Sequence, residues 1–346
     1  MSKRQNQQIE AVGQLLHTPK NIVITMHKNP DGDAIGSAIG LAKFLQKQHH
    51  HIMIISPNKY PAYLAWMIDA QSKIFVYEED NQPELKKRIE QADIIFCLDF
   101  SNLSRIEPMS LAVQKSQATK IIIDHHHDPQ DFAQICICDP NASSTTLLIY
   151  KMIIAFEQAS LIDKQIATCL YTGILTDTGS FHNSGTHPDT HLVVAKLLEK
   201  GVDISEINKN MRKNGTIENL HFLAHAITHR LHIIPNSRTA YFAIEKNDYE
   251  KFNLKPTDTQ LLTNYPLSIE GIDCAVLLTE YDHEIRLSFR SVGDLAVNKI
   301  AKYFNGGGHK NAAGGTYKEE TAEGMKQASL QKATKLLIEK ITEARC

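Results

Sequence analysis

The sequence predicts an α/β protein in two parts: an N-terminal doubly wound, mainly parallel sheet, then a smaller α+β domain. Three observations carry that expectation. The chain has 346 residues, and at roughly 150 residues per domain that is two units, each large enough for its own core. The first half alternates short β-branched apolar runs with helical spacing, as a parallel sheet covered on both faces requires. From about residue 187 that alternation stops, and hairpin spacing follows Pro235.

The elements follow in order. NIVITMH (21–27), HIMIIS (51–56), KIFVYE (73–78), ADIIFCLD (92–99) and KIIIDH (120–125) are short apolar runs, hence buried strands. AIGSAIGLAKFLQKQ (34–48) has helical spacing, and PELKKRIEQA (83–92) is a charged helix with Pro83 near its start. ICICD (135–139) fits an edge strand, and apolar helices follow near 143–156 and 164–175. THLVVAKLLEKG (190–201) is a helix stopped by Gly201. Two connecting helices, broken at Asn214-Gly215, come next. TAYFAIE and the two strands of 272–290 then build a second sheet, followed by a helix near 294–304, a glycine run, a short strand and a last helix near 321–343. The expected division is 1–200, a helical connector over 201–231, and 232–346.

Composition narrows the class. Lys+Arg is 37 and Asp+Glu 39, a formal net charge of -2. That argues against coating long nucleic acid, which needs many cations against phosphates, but leaves room for a short anionic ligand. With 42% hydrophobic and 22% charged residues the chain is ordinary for a soluble globular protein. The polar N-terminus lacks a signal-peptide stretch, and LLIYKMIIAF (147–156) is too short to span a bilayer. No membrane association and a cytoplasmic location are expected. The cysteines at 97, 136, 138, 169, 274 and 346 form no CxxC pair, and they read as reduced core thiols rather than a zinc site.

The chain holds 17 histidines, and the informative ones stand beside acids. One predicted strand runs into His27-Lys-Asn-Pro-Asp31-Gly-Asp33, another ends at Asp99, a third at Asp124-His125-His126. Sites in open parallel sheets form at the carboxyl ends of strands, so these clusters converge. Asp177, at the end of a predicted helix, is a fourth candidate. Taken singly, each has a plainer reading, Asp31-Gly-Asp33 as a turn with an N-cap and Asp99 as a loop residue. Together they place several carboxylates in one pocket, where mutual repulsion raises their pKa values unless cations intervene. Imidazole and carboxylate without thiolate suit Mn²⁺, Fe²⁺, Mg²⁺ or Zn²⁺. So many ligands are excessive for one small cation and sufficient for two, about 3.5–4 Å apart, clamping a phosphoryl group. The remaining histidines look less informative. His49, His50 and His51 fall on the expected surface. His221, His225 and His229 share a helix face with no acidic partner in register, and His127 merely extends the triplet.

A second constellation lies downstream. Asn305-Gly306-Gly307-Gly308-His309-Lys310 follows a predicted helix, and Arg290 ends the preceding strand. Consecutive glycines let backbone N–H groups approach an anion, and Arg grips phosphate bidentately. Across 284–315 there are five Lys/Arg and two acids, a local excess of positive charge.

In their order, HKNPDGDAIGS, LDF, IDHH and TGILTDTGSF resemble the motifs of the DHH phosphoesterases, and FRS followed by NGGGHKNAAG resembles their DHH-associated C-terminal domain. The resemblance spans nearly the whole chain and implies an active-site cleft between the two domains. It places His27, Asp31 and Asp99 at one cation and Asp33, Asp99, His125 and Asp177 at a second, with Asp99 bridging and catalytic. His126 matches a catalytic residue that hydrogen-bonds the scissile phosphate or the leaving oxygen. Asp124 would orient a ligand histidine. Arg290, Ser291, Gly306, Gly307, Gly308 and His309 match substrate-binding positions, and Asn305 departs from the commoner fourth glycine. Mn²⁺ is the usual cation in such enzymes, with Mg²⁺ or Co²⁺ as substitutes, and a homodimer is plausible.

Within the family, the compact two-domain layout resembles bacterial oligoribonucleases that also act on adenosine 3',5'-bisphosphate (pAp). The expected activity is hydrolysis of short RNA oligonucleotides, linear dinucleotides such as pApA, and pAp to mononucleotides. Three rivals stand beside it. An inorganic pyrophosphatase or polyphosphatase would share the acidic motifs. A long-substrate single-strand exonuclease would need further nucleic-acid-binding domains. A nucleotide sensor would bind without turnover.

Overall fold

The computed structural model describes residues 3–80, 82–182, 185–211, 215–321, 324–326 and 328–345. Its contacts divide the chain into two compact units, Met1–Asn214 and Gly215–Cys346. The expected connector over 201–231 is shared between them.

The first unit is built on six parallel strands: β1 (Asn21–Met26), β2 (His51–Ser56), β3 (Ile74–Val76), β4 (Ile94–Leu98), β5 (Thr119–Asp124) and β6 (Ile135–Cys138). Their order is β3-β2-β1-β4-β5-β6, every pair parallel. The direction of winding reverses between β1 and β4, the switch point at which doubly wound sheets bind ligands. Both faces are covered, which is why the strands read as unbroken apolar runs. Ile22, Ile24, Met26, Phe96, Leu98, Ile121 and Ile123 point into one core, while Val23, Ile95, Cys97 and Ile122 point into the other. The first face carries α1 (Lys3–Leu15), α2 (Gly32–Gln46), α5 (Thr145–Ala155), α6 (Lys164–Asp177), α7 (Pro188–Leu198) and α8 (Ile204–Met211). The second carries α3 (Gln82–Glu90) and α4 (Ser110–Lys115). Helix α2 is buried from Gly32 to Leu45, and Gly36 lets it seat on α6, since a Cβ there would lie 2.5 Å from the Cys169 carbonyl oxygen.

The second unit opens with α9 (Ile217–His229), whose Phe222 and Ala226 pack on Phe242. A six-stranded mixed sheet follows, ordered β11-β12-β10-β9-β8-β7. It comprises β7 (Leu231–Ile234), β8 (Thr239–Ile244), β9 (Cys274–Glu280), β10 (Ile285–Ser291), β11 (Gly307–His309) and β12 (Ala312–Tyr317). Only β8 and β9 pair in parallel. Helices α10 (Lys246–Glu250), α11 (Val297–Ala301) and α12 (Leu330–Arg345) complete it. Among the described residues no helix is long and apolar enough to cross a membrane.

Four expectations need correcting. The last helix starts at Leu330, not near 321, because β13 (Glu319–Thr321) and β14 (Gly324–Lys326) pair antiparallel ahead of it, and Gly324 weakens a helix there. His50 is 5% exposed, not superficial: its Nδ1 accepts the Lys20 N–H at 3.1 Å where α2 turns into β2. His225 does have an acidic partner, Asp248 of α10, at 2.9 Å, and Arg230 joins the same carboxylate at 2.8 Å. That partner comes from another element, invisible to helical spacing. Cys136 and Cys138 are half-buried on the edge strand rather than in a core, unlike Cys97, Cys169 and Cys274.

Candidate metal centre

Asp31 serves two structural ends. As N-cap of α2 its Oδ1 accepts the N–H groups of Asp33 and Ala34 at 3.0 and 3.1 Å, so the turn-and-cap reading holds. Its Oδ2 faces His27 Nε2 at 3.9 Å. His27 leaves the end of β1, is 5% exposed, and brings Nε2 to 3.3 Å from Asp99 Oδ2. Asp99 sits just past β4 with φ +63°, a left-handed conformation that is uncommon for a non-glycine residue and marks a constrained site.

The remaining donors come from the end of β5, the end of α6 and the first turn of α2. His125 Nε2 lies 3.5 Å from Asp99 Oδ1 and 3.3 Å from Asp177 Oδ2. Asp33, fully buried in the first turn of α2, accepts the N–H groups of Thr145 and Thr146 at 2.6 and 2.9 Å and the Thr146 hydroxyl at 2.7 Å. These are the first two residues of α5, so its free N–H groups and positive dipole end hold the carboxylate. Thr145 also donates its hydroxyl to Asp99 Oδ1 at 3.0 Å. Sequence reasoning missed both threonines, although Ser-Ser-Thr-Thr before an apolar run is an N-cap signal. Gly173 of α6 is required here too: a Cβ would lie 2.8 Å from Asp33 Oδ1 and 2.4 Å from Thr146.

Three groups of donor atoms each lie within 4.8 Å of one another: His27, Asp31 and Asp99; Asp33, His125 and Asp177; and Asp99, His125 and His126. All expected ligands therefore gather at the carboxyl ends of β1, β4 and β5. Asp124, expected to orient a ligand histidine, instead meets His126: its Oδ1 is 2.7 Å from His126 Nδ1, while His125 Nδ1 faces the Ala142 carbonyl at 3.3 Å.

The electrostatics show what the set favours. Burial, reinforced by Asp99, Asp177 and Asp31, pushes the Asp33 carboxyl well above its ordinary value. Burial, with Asp99 and Asp31 adding to it, pushes Asp177 up to about 6 against the pull of His125. Asp99 is held below its ordinary value because contact with His27, His125 and His126 outweighs burial. For His27, burial favours the neutral ring, but Asp99 and Asp31 prevail and raise it. Four carboxylates and two imidazoles, with no thiolate, form an oxygen- and nitrogen-rich set that divalent cations neutralise. The donor chemistry and the mutual repulsion of the carboxylates both fit such ions. Beside the set lies a pocket of about 650 Å³ lined by residues that include Tyr63, Thr176, Ser180, Asn208 and Met211.

In the second unit Arg290 lies on β10, half-buried, with Nη1 donating to the Phe289 carbonyl at 2.9 Å. Burial alone lowers its pKa. The Ser291 hydroxyl is already engaged, donating to the Leu295 carbonyl and accepting from Asn311, each at 2.8 Å. Gly307, Gly308 and His309 form β11, exposed at the sheet edge and paired with β12. Gly306 and Gly308 have a packing cause, whereas a Cβ at Gly307 would meet open space. A Cβ at Gly306 would overlap the Gly314 carbonyl oxygen, and Gly308 has φ +139° and would meet the Ala312 carbonyl at 2.6 Å. Asn305 takes the left-handed conformation, φ +52°, which Asn tolerates, so the missing fourth glycine costs little. Lys310 is paired with Asp294 at 3.0 Å.

Comparison with known proteins gives the family. Residues 21–174 match the model of the DHH family, N-terminal domain, and residues 238–343 match the DHHA1 domain. The fold superposes on the crystal structure of an exopolyphosphatase-related protein from Bacteroides fragilis with a TM-score of 0.89 and 34% identity, covering 98% of this chain and 96% of that one. The chain belongs to the DHH family. Another DHH relative, the bifunctional oligoribonuclease and PAP phosphatase NrnA of Bacillus subtilis, is 28% identical over 294 residues, 85% of this chain and 88% of that one. The fold is shared with RecJ of Thermus thermophilus, solved in complex with Mn²⁺, at a TM-score of 0.53 and 12% identity, over 99% of this chain and 55% of that one. This DHH protein is a metal-dependent hydrolase of phosphoester bonds.

Proposed function

We propose that the enzyme hydrolyses very short RNA oligonucleotides, linear dinucleotides such as pApA, and pAp to mononucleotides, using two Mn²⁺ ions in the cytoplasm as a homodimer. The observation that carries this reading is the gathering of His27, Asp31, Asp33, Asp99, His125 and Asp177 at the sheet switch point. The oligoribonuclease and PAP phosphatase relative supports the substrate class. His27, Asp31 and Asp99 would hold one ion; Asp33, Asp99, His125 and Asp177 the other. Such ions supply charge for the non-bridging phosphoryl oxygens and a water acidified toward neutrality.

The chain's own residues do the rest. The N–H groups of Thr145 and Thr146 fix Asp33 and keep it from rotating out of the set. Asp124 accepts from His126 Nδ1 and raises the His126 pKa, through that hydrogen bond first and its charge second. That favours the protonated ring, whose Nε2, not held by Asp124, can donate to a phosphate or to the departing oxygen, the role of a general acid. In the second unit Arg290 forms no ion pair with a carboxylate among the described residues, and a half-buried guanidinium without one favours an anion such as a phosphate. His309 and the exposed edge of β11 add donors, while Ser291 shapes the turn that carries Arg290.

Phosphate and AMP release from pAp, pApA, pyrophosphate and polyphosphate, each with Mn²⁺, tests the reading. Turnover of pAp and pApA is the expected result. The relative described as exopolyphosphatase-related favours a second reading, which turnover of polyphosphate alone would establish. Binding of pAp without turnover would contradict both.

A further inference from the structure

We propose that Cys136 and Cys138 are a modification site, closing into a reversible disulfide that displaces Asp124 and, through it, His126. Residues i and i+2 of a strand share a face. On β6, Ile135 and Ile137 point into the main core, and the two cysteines point to the other side, half-buried. Their sulphurs lie 2.9 Å apart, already in van der Waals overlap. By contrast Cys97, Cys169 and Cys274 are buried and have no thiol neighbour among the described residues.

The strand is an edge, so its geometry is easier to alter than that of a central strand. Its outer side is closed by α1: Gln8 Oε1 accepts the Cys136 N–H at 2.5 Å, and Gln5 donates to the Cys138 carbonyl at 3.1 Å. Its inner side touches the catalytic segment. Cys138 is paired in register with Asp124, and the Asp139 N–H donates to the Asp124 carbonyl at 3.1 Å. Asp124 Oδ1 holds His126, and its Oδ2 is a buried oxygen without a hydrogen-bond partner. A shift of β6 therefore reaches His126 through one residue.

The chemistry needs an oxidant of the peroxide class. The Cys138 sulphur holds the Cys136 thiol below its ordinary value against burial and Asp124, with Arg4 adding to the effect, which favours the nucleophilic thiolate. Cys136 attacks one peroxide oxygen, giving a sulfenic acid as the O–O bond breaks and the first water leaves. The Cys138 sulphur then displaces the sulfenic hydroxyl as the second water. Overall two thiols lose two electrons and both protons end in water, while one S–S bond forms. Two residues along a strand place the Cα atoms about 6.6 Å apart, near the upper bound for a disulfide. Such a bond is labile toward thiols, hence reversible.

The disulfide is read independently of the substrate; its effect on turnover rests on the proposed role of His126. The full chain carrying Cys346→Ser is treated with hydrogen peroxide and alkylated. The tryptic peptide over 121–151 contains both thiols and no other. It should resist alkylation, weigh two hydrogens less, and revert with dithiothreitol. The imidazole signal of His126, assigned with His126→Gln, should shift on oxidation and return on reduction. Turnover of pAp should fall roughly tenfold in kcat with little change in KM, and neither Cys136→Ser nor Cys138→Ser should respond. Thiols that remain alkylatable, or that oxidise separately to sulfinic acids, overturn the site. A disulfide that leaves the His126 signal in place overturns the coupling.

Discussion

Asp33 combines a structural tie to α5 with the position of a proposed cation ligand. Its oxygens take three hydrogen bonds from the start of α5, yet Asp99, Asp177 and Asp31 still push its pKa upward. Asp99→Ala removes the carboxylate shared by His27 and His125, and turnover should fall by about a thousandfold or more. Near-native rates in saturating Mn²⁺ would refute the bridging role. His126→Ala should lower kcat by roughly 10²–10⁴, and Asp124→Asn by about 10–100-fold, with KM for pAp little changed in both. The titration has a definite sign. Asp177, pushed up to about 6, binds more protons folded than unfolded between its ordinary value and that pKa, so folding weakens as pH rises through that window. Raised His27 and His126 act in the same direction, their stabilisation being lost as pH rises through the folded pKa. Cation-free protein should therefore unfold at higher denaturant at pH 5 than at pH 7, and Mn²⁺ should reverse that order. An unchanged midpoint without cations would count against the buried carboxylate cluster.

At the scale of elements, the parallel strands and the helices of the first unit were legible because their apolar periods are unmixed. The candidate ligands at strand ends were legible for the same reason: a polar residue just past a buried strand stands out. What escaped were pairings between elements distant in sequence. Thr145 and Thr146 looked like a helix start, with nothing to say that Asp33 occupies it. His225 seemed unpartnered because Asp248 comes from α10. The paired strands β13 and β14 fall where a continuous last helix is expected, and Gly324 is the residue there that argues against a helix. Two element-level outcomes follow. Gly173→Ala drives a methyl group against Thr146 and Asp33, which should cost about 1–3 kcal/mol and weaken Mn²⁺ binding together with stability. Asp248, held below its ordinary value because His225, Glu245 N–H and Arg230 outweigh burial, stabilises the second unit above the unfolded carboxyl value. That contribution is lost as pH falls through the folded one. Urea midpoints at pH 6 and at about pH 3 should differ less in Asp248→Asn than in the parent chain.

For the whole molecule, the proposed function divides chemistry and recognition between the two units. The first holds every expected cation ligand; the second holds Arg290 and the glycine-bounded edge of β11. Arg290→Ala should therefore raise KM for pAp more than it lowers kcat. The account stands on cation-dependent chemistry at one cluster, and the most direct test is to strip the protein with EDTA and titrate Mn²⁺ while recording bound metal and pAp turnover together. The account predicts no turnover in the stripped protein and recovery complete at two ions per chain, with Asp99→Ala failing to recover. Turnover that persists in EDTA, or that recovers with no ion retained at the cluster, would contradict it.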